Sequence, residues 1–120
     1  MKRRVLVVDD NSDVRELLLH ILLTQGHQAL GADSALSALS ILEREDVDLI
    51  LLDVMMPGIS GIDLLARIRS SQSRYQNIPI AMITALSAED EINKALNSGA
   101  NTYLVKPFRS ADIKELMEAI

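Results

Sequence analysis

Leu49-Ile50-Leu51-Leu52-Asp53 sets four branched apolar side chains in a row, with no polar residue among them, and closes on a carboxylate. A run without alternation suits a strand covered on both faces, as in a parallel sheet. Working outward, Val5-Leu6-Val7-Val8 is a second such run, followed by Asp9 and Asp10. Ile78 to Ile83 is a third, followed by Thr84, and Tyr103-Leu104-Val105 is a fourth, followed by Lys106. Gln28 to Ala32 is a weaker fifth. Between these runs apolar residues recur at helical spacing: Val14, Leu17, Leu18, Ile21 and Leu22; Ala35, Ala38, Leu39 and Leu42; Leu64, Leu65 and Ile68; Ile92, Ala95 and Leu96; Ile113, Leu116, Met117 and Ile120. Ser34, Ser87 and Ser110 stand where helix N-caps belong, and Gly26 and Gly99 where helices stop. The expected order is a strand followed by a helix, five times over, in one α/β domain. That order predicts a five-stranded parallel sheet with helices on both faces, reached by right-handed crossovers. Periodicity does not give the strand order. For five such units the flavodoxin-like, doubly wound order 2-1-3-4-5 is a common solution.

Composition agrees with one domain and narrows the function. The chain has 120 residues, 48% hydrophobic and 24% charged, which excludes a disordered tail and gives enough material for one core. Aromatic residues make up only 2%, so stacking platforms for single-stranded nucleic acid are not expected. A formal net charge of −5 argues against direct, nonspecific nucleic-acid binding. There is no Cys, hence no disulfide, thiol nucleophile or thiolate metal site. No apolar stretch approaches the roughly 20 residues that span a bilayer, and the short run after Lys2-Arg3-Arg4 is too brief for a signal peptide. The expectation is a cytoplasmic protein with no membrane partner.

The residues that follow the strands carry the chemistry. In a parallel sheet the carboxyl ends lie on one edge, where ligands of open α/β folds bind. Asp9, Asp10, Asp53, Thr84 and Lys106 would thus share one rim. Neighbouring strands lie about 4.8 Å apart. Two unit charges about 4 Å apart repel by roughly 4 kcal/mol at an effective dielectric of 20. With a single lysine facing three carboxylates, either a carboxylate takes up a proton or a cation binds. Clustered oxygens without His or Cys favour a hard ion, Mg²⁺ or Mn²⁺, over zinc. One carboxylate can then act as a nucleophile toward phosphorus. Asp53 stands alone at its strand end and is the best candidate, while Asp9 and Asp10 form a pair suited to holding the ion. Thr84 can donate to a phosphoryl oxygen, and Lys106 can balance its charge.

Taken in order, Asp9-Asp10, Leu52-Asp53-Val54-Met55-Met56-Pro57-Gly58 with Gly61, Thr84-Ala85 and Tyr103-Leu104-Val105-Lys106-Pro107-Phe108 resemble the receiver domain of two-component response regulators. The match runs from Val5 to the last helix. The resemblance implies that Asp53 accepts a phosphoryl group from a phosphohistidine on a sensor kinase or phosphotransfer protein. It implies that Asp10 and Asp53 bind Mg²⁺ directly, Asp9 through water, and the Met55 backbone carbonyl as a further ligand. Thr84 and Lys106 would hold the phosphoryl oxygens, and Tyr103 would be the switch aromatic. Lys106-Pro107 would be a cis peptide. Such a domain is a self-catalysing phosphoacceptor switch and not a classical enzyme. Its output would pass over the surface from Ser87 to Ile120 to an output domain or downstream protein, and a phosphorylation-dependent dimer is compatible with it.

The other motifs have plainer readings. Gly58 and Gly61 are expected at turn and packing positions, Met55, Met56 and Met82 in apolar packing, His20 and His27 away from the rim, and Asp63 at a helix N-terminus. Met55 and Leu86, both apolar and each two residues past a site residue, are expected to set how fast water reaches the acyl phosphate. Three rival readings fit the residues less well. A phosphohydrolase lacks an Asp-x-Asp motif at Asp53. A flavin module would meet repulsion from Asp9-Asp10-Asn11. A degenerate docking receiver does not need the full residue set. The chain could equally stand alone or be excised from a larger regulator or hybrid kinase, and the long stretch from Ser70 to Asn77 favours a single-domain, kinase-attached or cyclase-attached setting.

Overall fold

The computed structural model describes residues 2–70, 72, 74–85 and 89–120. Five strands alternate with five helices: β1 (Arg4–Val8), α1 (Ser12–Thr24), β2 (Gln28–Ala32), α2 (Ala35–Arg44), β3 (Leu49–Asp53), α3 (Gly61–Ser70), β4 (Ile80–Ala85), α4 (Glu89–Asn97), β5 (Thr102–Lys106) and α5 (Ser110–Ala119). All strand pairs are parallel, in the order β2-β1-β3-β4-β5. This is the flavodoxin-like doubly wound sheet.

The continuous apolar runs form the centre, because each strand there is covered twice. Side chains alternate across the sheet into two cores. Leu6, Val8, Ile50, Leu52, Ile80 and Met82 pack with α2, α3 and Ala95 of α4 on one face. Val5, Val7, Leu49, Leu51, Ala81 and Ile83 pack with α1 and α5 on the other. Every residue of β3 is buried, whereas β5, at the sheet edge, is partly exposed along its length. Ala95 is the one residue of α4 that is buried.

The helix signals hold with one exception among the described residues. Ser34 caps α2 by accepting from the Ser37 N–H at 3.1 Å. Gly26 and Gly99 follow α1 and α4 at φ +89 and +112, the left-handed conformation that ends a helix. Ser110, however, is the first helical residue of α5 and not its cap. Arg109 takes that place, and the Asp112 carboxylate accepts the Arg109 N–H at 2.8 Å. Ser87 and Leu86 lie outside the described residues. The third apolar run also begins its strand late. The Ile78 N–H closes a turn onto Tyr75 O at 3.3 Å, and Pro79 has no N–H to donate, so β4 starts at Ile80.

The end of α3 and residues 74–76 are anchored on both sides. Tyr75 is buried and its hydroxyl donates to Glu43 Oε1 at 2.9 Å. Arg74 pairs with Asp46 at 3.6 Å, beside the C-terminal carbonyls of α2. Arg69 donates to Gly99 O at 3.0 Å, to Gln76 O at 2.8 Å and to Asn101 Oδ1 at 3.0 Å, tying the end of α3 to two loops.

Candidate functional site

The sheet delivers the acidic residues to one edge. β1 ends at Val8, so Asp9 and Asp10 begin the turn into α1, and Asp53 is the last residue of the adjacent β3. Oxygen atoms of Asp9, Asp10 and Asp53 all lie within 4.8 Å of one another. Asp9 and Asp53 are buried and Asp10 is exposed, so the cluster opens to solvent on the Asp10 side. Thr84 is not beyond its strand, as the apolar run had implied, but inside β4, where it pairs with Val105 and is buried. Lys106 ends β5, and its Nζ lies 3.4 Å from Asp53 Oδ1 and 3.7 Å from Asp9 Oδ2.

Local structure holds these groups. Asn11 caps α1 by accepting from the Asp13 and Val14 N–H groups, and its own N–H donates to Asp9 Oδ1 at 2.9 Å. Asp9 Oδ2 is buried without a hydrogen-bond partner. Gly61 opens α3 directly against the acidic strand end: a Cβ there would sit 2.0 Å from Asp53 O. Only glycine lets α3 start that close. Gly58, at φ +76, turns the chain between Asp53 and α3.

The electrostatics follow from burial. Desolvation pushes the Asp53 carboxyl up from 3.8 to about 6; the Asp9 charge adds to the rise, and Lys106 and the Met55 N–H oppose it. One ammonium therefore does not balance the carboxylates. An all-oxygen cluster with a buried, unpartnered carboxylate oxygen fits a hard divalent cation.

The structure thus brings Asp9, Asp10, Asp53 and Lys106 together, with Thr84 on the adjacent strand. Met55 adds its N–H toward Asp53 while its side chain is 68% exposed, in place of the apolar packing expected of it. Met56 and Met82 are buried as expected. Tyr103 is 43% exposed on the outer strand. His20 is exposed, and His27 Nδ1 accepts the Arg3 N–H at 3.1 Å, at the opposite end of β1 from the acidic rim. Lys106-Pro107 is cis. Two contributors were not singled out from sequence: Asn11, and Arg15, whose Nη1 donates to Asp9 O at 2.8 Å. Their signal was the spacing, one cap residue and one helical turn beyond the acidic pair.

Comparison with known proteins gives the family and the fold. Residues 5–118 match the family model described as response regulator receiver domain. The chain is 41% identical over 117 residues to the response regulator protein FleR of Pseudomonas aeruginosa, covering 98% of this chain and 24% of FleR. It is 38% identical over 118 residues to the chemotaxis protein CheY-3 of Vibrio cholerae, covering 98% of this chain and 90% of that protein. The solved structure of the chemotaxis protein CheY4 of Vibrio cholerae superimposes with a TM-score of 0.92 at 28% identity, covering 100% of this chain and 99% of that one.

Proposed function

The chain belongs to the response regulator receiver domain family, and from that membership and the rim geometry we propose that it is a phosphorylation switch with Asp53 as the acceptor. The observation that carries this is the buried Asp53 carboxylate, grouped with Asp9 and Asp10 and reached by Lys106 at 3.4 Å. Asp10 and Asp53 would hold Mg²⁺ directly, Asp9 through water, and the Met55 carbonyl would add a ligand. Bound there, Mg²⁺ neutralises carboxylate charge and screens incoming phosphoryl oxygens.

The chain's own groups do the rest. An Asp53 carboxylate oxygen attacks phosphorus as the bond to the donor histidine nitrogen breaks, giving an acyl phosphate. Lys106 pairs with the phosphoryl oxygens, and the Thr84 hydroxyl donates to one of them. Thr84 lies on the strand beside β5, so its shift toward the phosphoryl group makes room for Tyr103 to turn inward from its exposed position. The surface of α4, β5 and α5 then changes, and partner affinity follows. The donor is a sensor kinase or phosphotransfer protein, and the recipient an output domain or downstream protein. Among the described residues no helix is long and apolar enough to cross a membrane.

The test is incubation with a small phosphodonor and Mg²⁺, followed by intact mass. A labile gain of one phosphoryl group, about 80 Da, is expected, and Asp53→Asn should abolish it. No adduct at saturating donor would count against the assignment.

A further inference from the structure

The turn bearing Asp9 and Asp10 is held from three directions. The Asp9 N–H donates to Ala32 O at 3.1 Å, carrying the β1–β2 ladder one residue past its last pair. Asp9 Oδ1 accepts the Asn11 N–H at 2.9 Å. The Asp9 carbonyl accepts from Arg15 Nη1 at 2.8 Å. That leaves Oδ2, which is buried and looks toward Lys106 Nζ at 3.7 Å.

Arg15 reaches the carbonyl by laying its stem against β2. A Cβ on Gly31 would stand 3.3 Å from Arg15 Cδ and 3.2 Å from Leu19 Cδ1, both tighter than ordinary packing. A glycine inside a strand weakens it and marks a close approach. Here it sits where the arginine passes, paired with Val7, two residues before Asp9.

We infer that Arg15 is a positioning residue for the metal-binding turn, admitted by Gly31, which clamps the Asp9 carbonyl and so keeps Asp9 Oδ2 and Asp10 set for a divalent cation. This rests on the receiver function proposed above. The bond goes to the carbonyl and not to a carboxylate oxygen, so Arg15 holds the turn without competing for the ion's ligands. Charge and positioning act in opposite directions. If Arg15 mattered only as a cation near the site, its removal would strengthen Mg²⁺ binding. If it holds the turn, its removal weakens binding. Groups that orient metal ligands typically contribute 10–100-fold in affinity, and a clamp on backbone belongs near the lower end, about tenfold.

The experiment titrates Mg²⁺ alone into the full chain by calorimetry. Arg15→Met keeps the apolar stem and removes the guanidinium. Gly31→Val keeps the guanidinium and obstructs its path with a strand-favouring residue. Both should raise the Mg²⁺ dissociation constant, the first about tenfold. In Arg15→Met the Asn11 amide resonance should also shift, because its partner Asp9 Oδ1 moves. Unchanged or tighter binding in either variant overturns the inference while leaving the phosphoacceptor assignment standing. If the unaltered chain itself fails to bind Mg²⁺, the metal site falls, and the role of Arg15 with it.

Discussion

Asp53→Asn should make the metal-free domain more stable, and the size follows from the burial of that carboxyl. Burial raises the group from 3.8 to about 6 on folding. At about 1.4 kcal/mol per unit, holding it ionised in the folded state costs about 3 kcal/mol. The folded state binds the proton more tightly than the unfolded one. Stability is therefore full at low pH and is lost as pH rises from about 4 through about 6, the window set by those two values. An asparagine has no charge to desolvate; the rise to about 6 already includes the opposing Lys106 contact at 3.4 Å, and solvent reaching the rim on the Asp10 side screens part of the cost. A net gain of about 2 kcal/mol is expected at pH 7.5 in chelator. Unfolding entropy of about 2.1 cal/mol/K per residue makes that roughly 8 °C in melting temperature for a chain this long. The assay is thermal unfolding followed by circular dichroism, with EDTA, at pH 7.5 and pH 5. By pH 5 the original chain has taken up its proton, and the gain should fall to about half. Added Mg²⁺ should stabilise the original chain by mass action and narrow the gap further. A variant less stable than the original at pH 7.5, or a gain indifferent to pH, would refute the charge-desolvation account.

Other substitutions probe the scaffold. Gly61→Ala places a Cβ 2.0 Å from Asp53 O, so urea titration should show a loss of about 3 kcal/mol or more, with phosphorylation impaired in whatever folds. Arg69→Met removes three hydrogen bonds, to Gly99 O, Gln76 O and Asn101 Oδ1, for an expected loss of about 2 kcal/mol by the same measurement. Asn11→Ala deprives two helical N–H groups of α1 and should lower stability by about 1 kcal/mol, read as a shifted urea midpoint at constant slope.

What could be read from the residues alone was whatever repeats or ends a repeat. The unbroken runs at Val5–Val8 and Leu49–Leu52 announce doubly covered strands, and the residues closing them meet at the rim because parallel strands share an edge. Features that depend on approach between distant segments leave no periodic trace. Gly61 reads as a turn or packing position, but that it packs on Asp53 O shows only once α3 is in place. Arg15 reads as a helix-surface charge until its stem is found over Gly31. Ser110 has the chemistry of a cap, but Asp112 already binds the preceding N–H, and the helix starts one residue earlier than a serine cap would place it. Pro79 should have shortened the third run, since a residue without an N–H enters a central strand poorly.

The uneven covering of the sheet also grades the molecule by how readily its parts open. β3 is wholly buried between two cores, so its amide protons should exchange with deuterium only when the whole domain unfolds. The helix from Glu89 to Asn97 rests on the sheet through Ala95, and the strand beside it is an edge. That helix should therefore open more readily than β1 and β3, which keep the acidic oxygens in register. A domain assembled this way can hold its acidic rim still while the α4 side breathes.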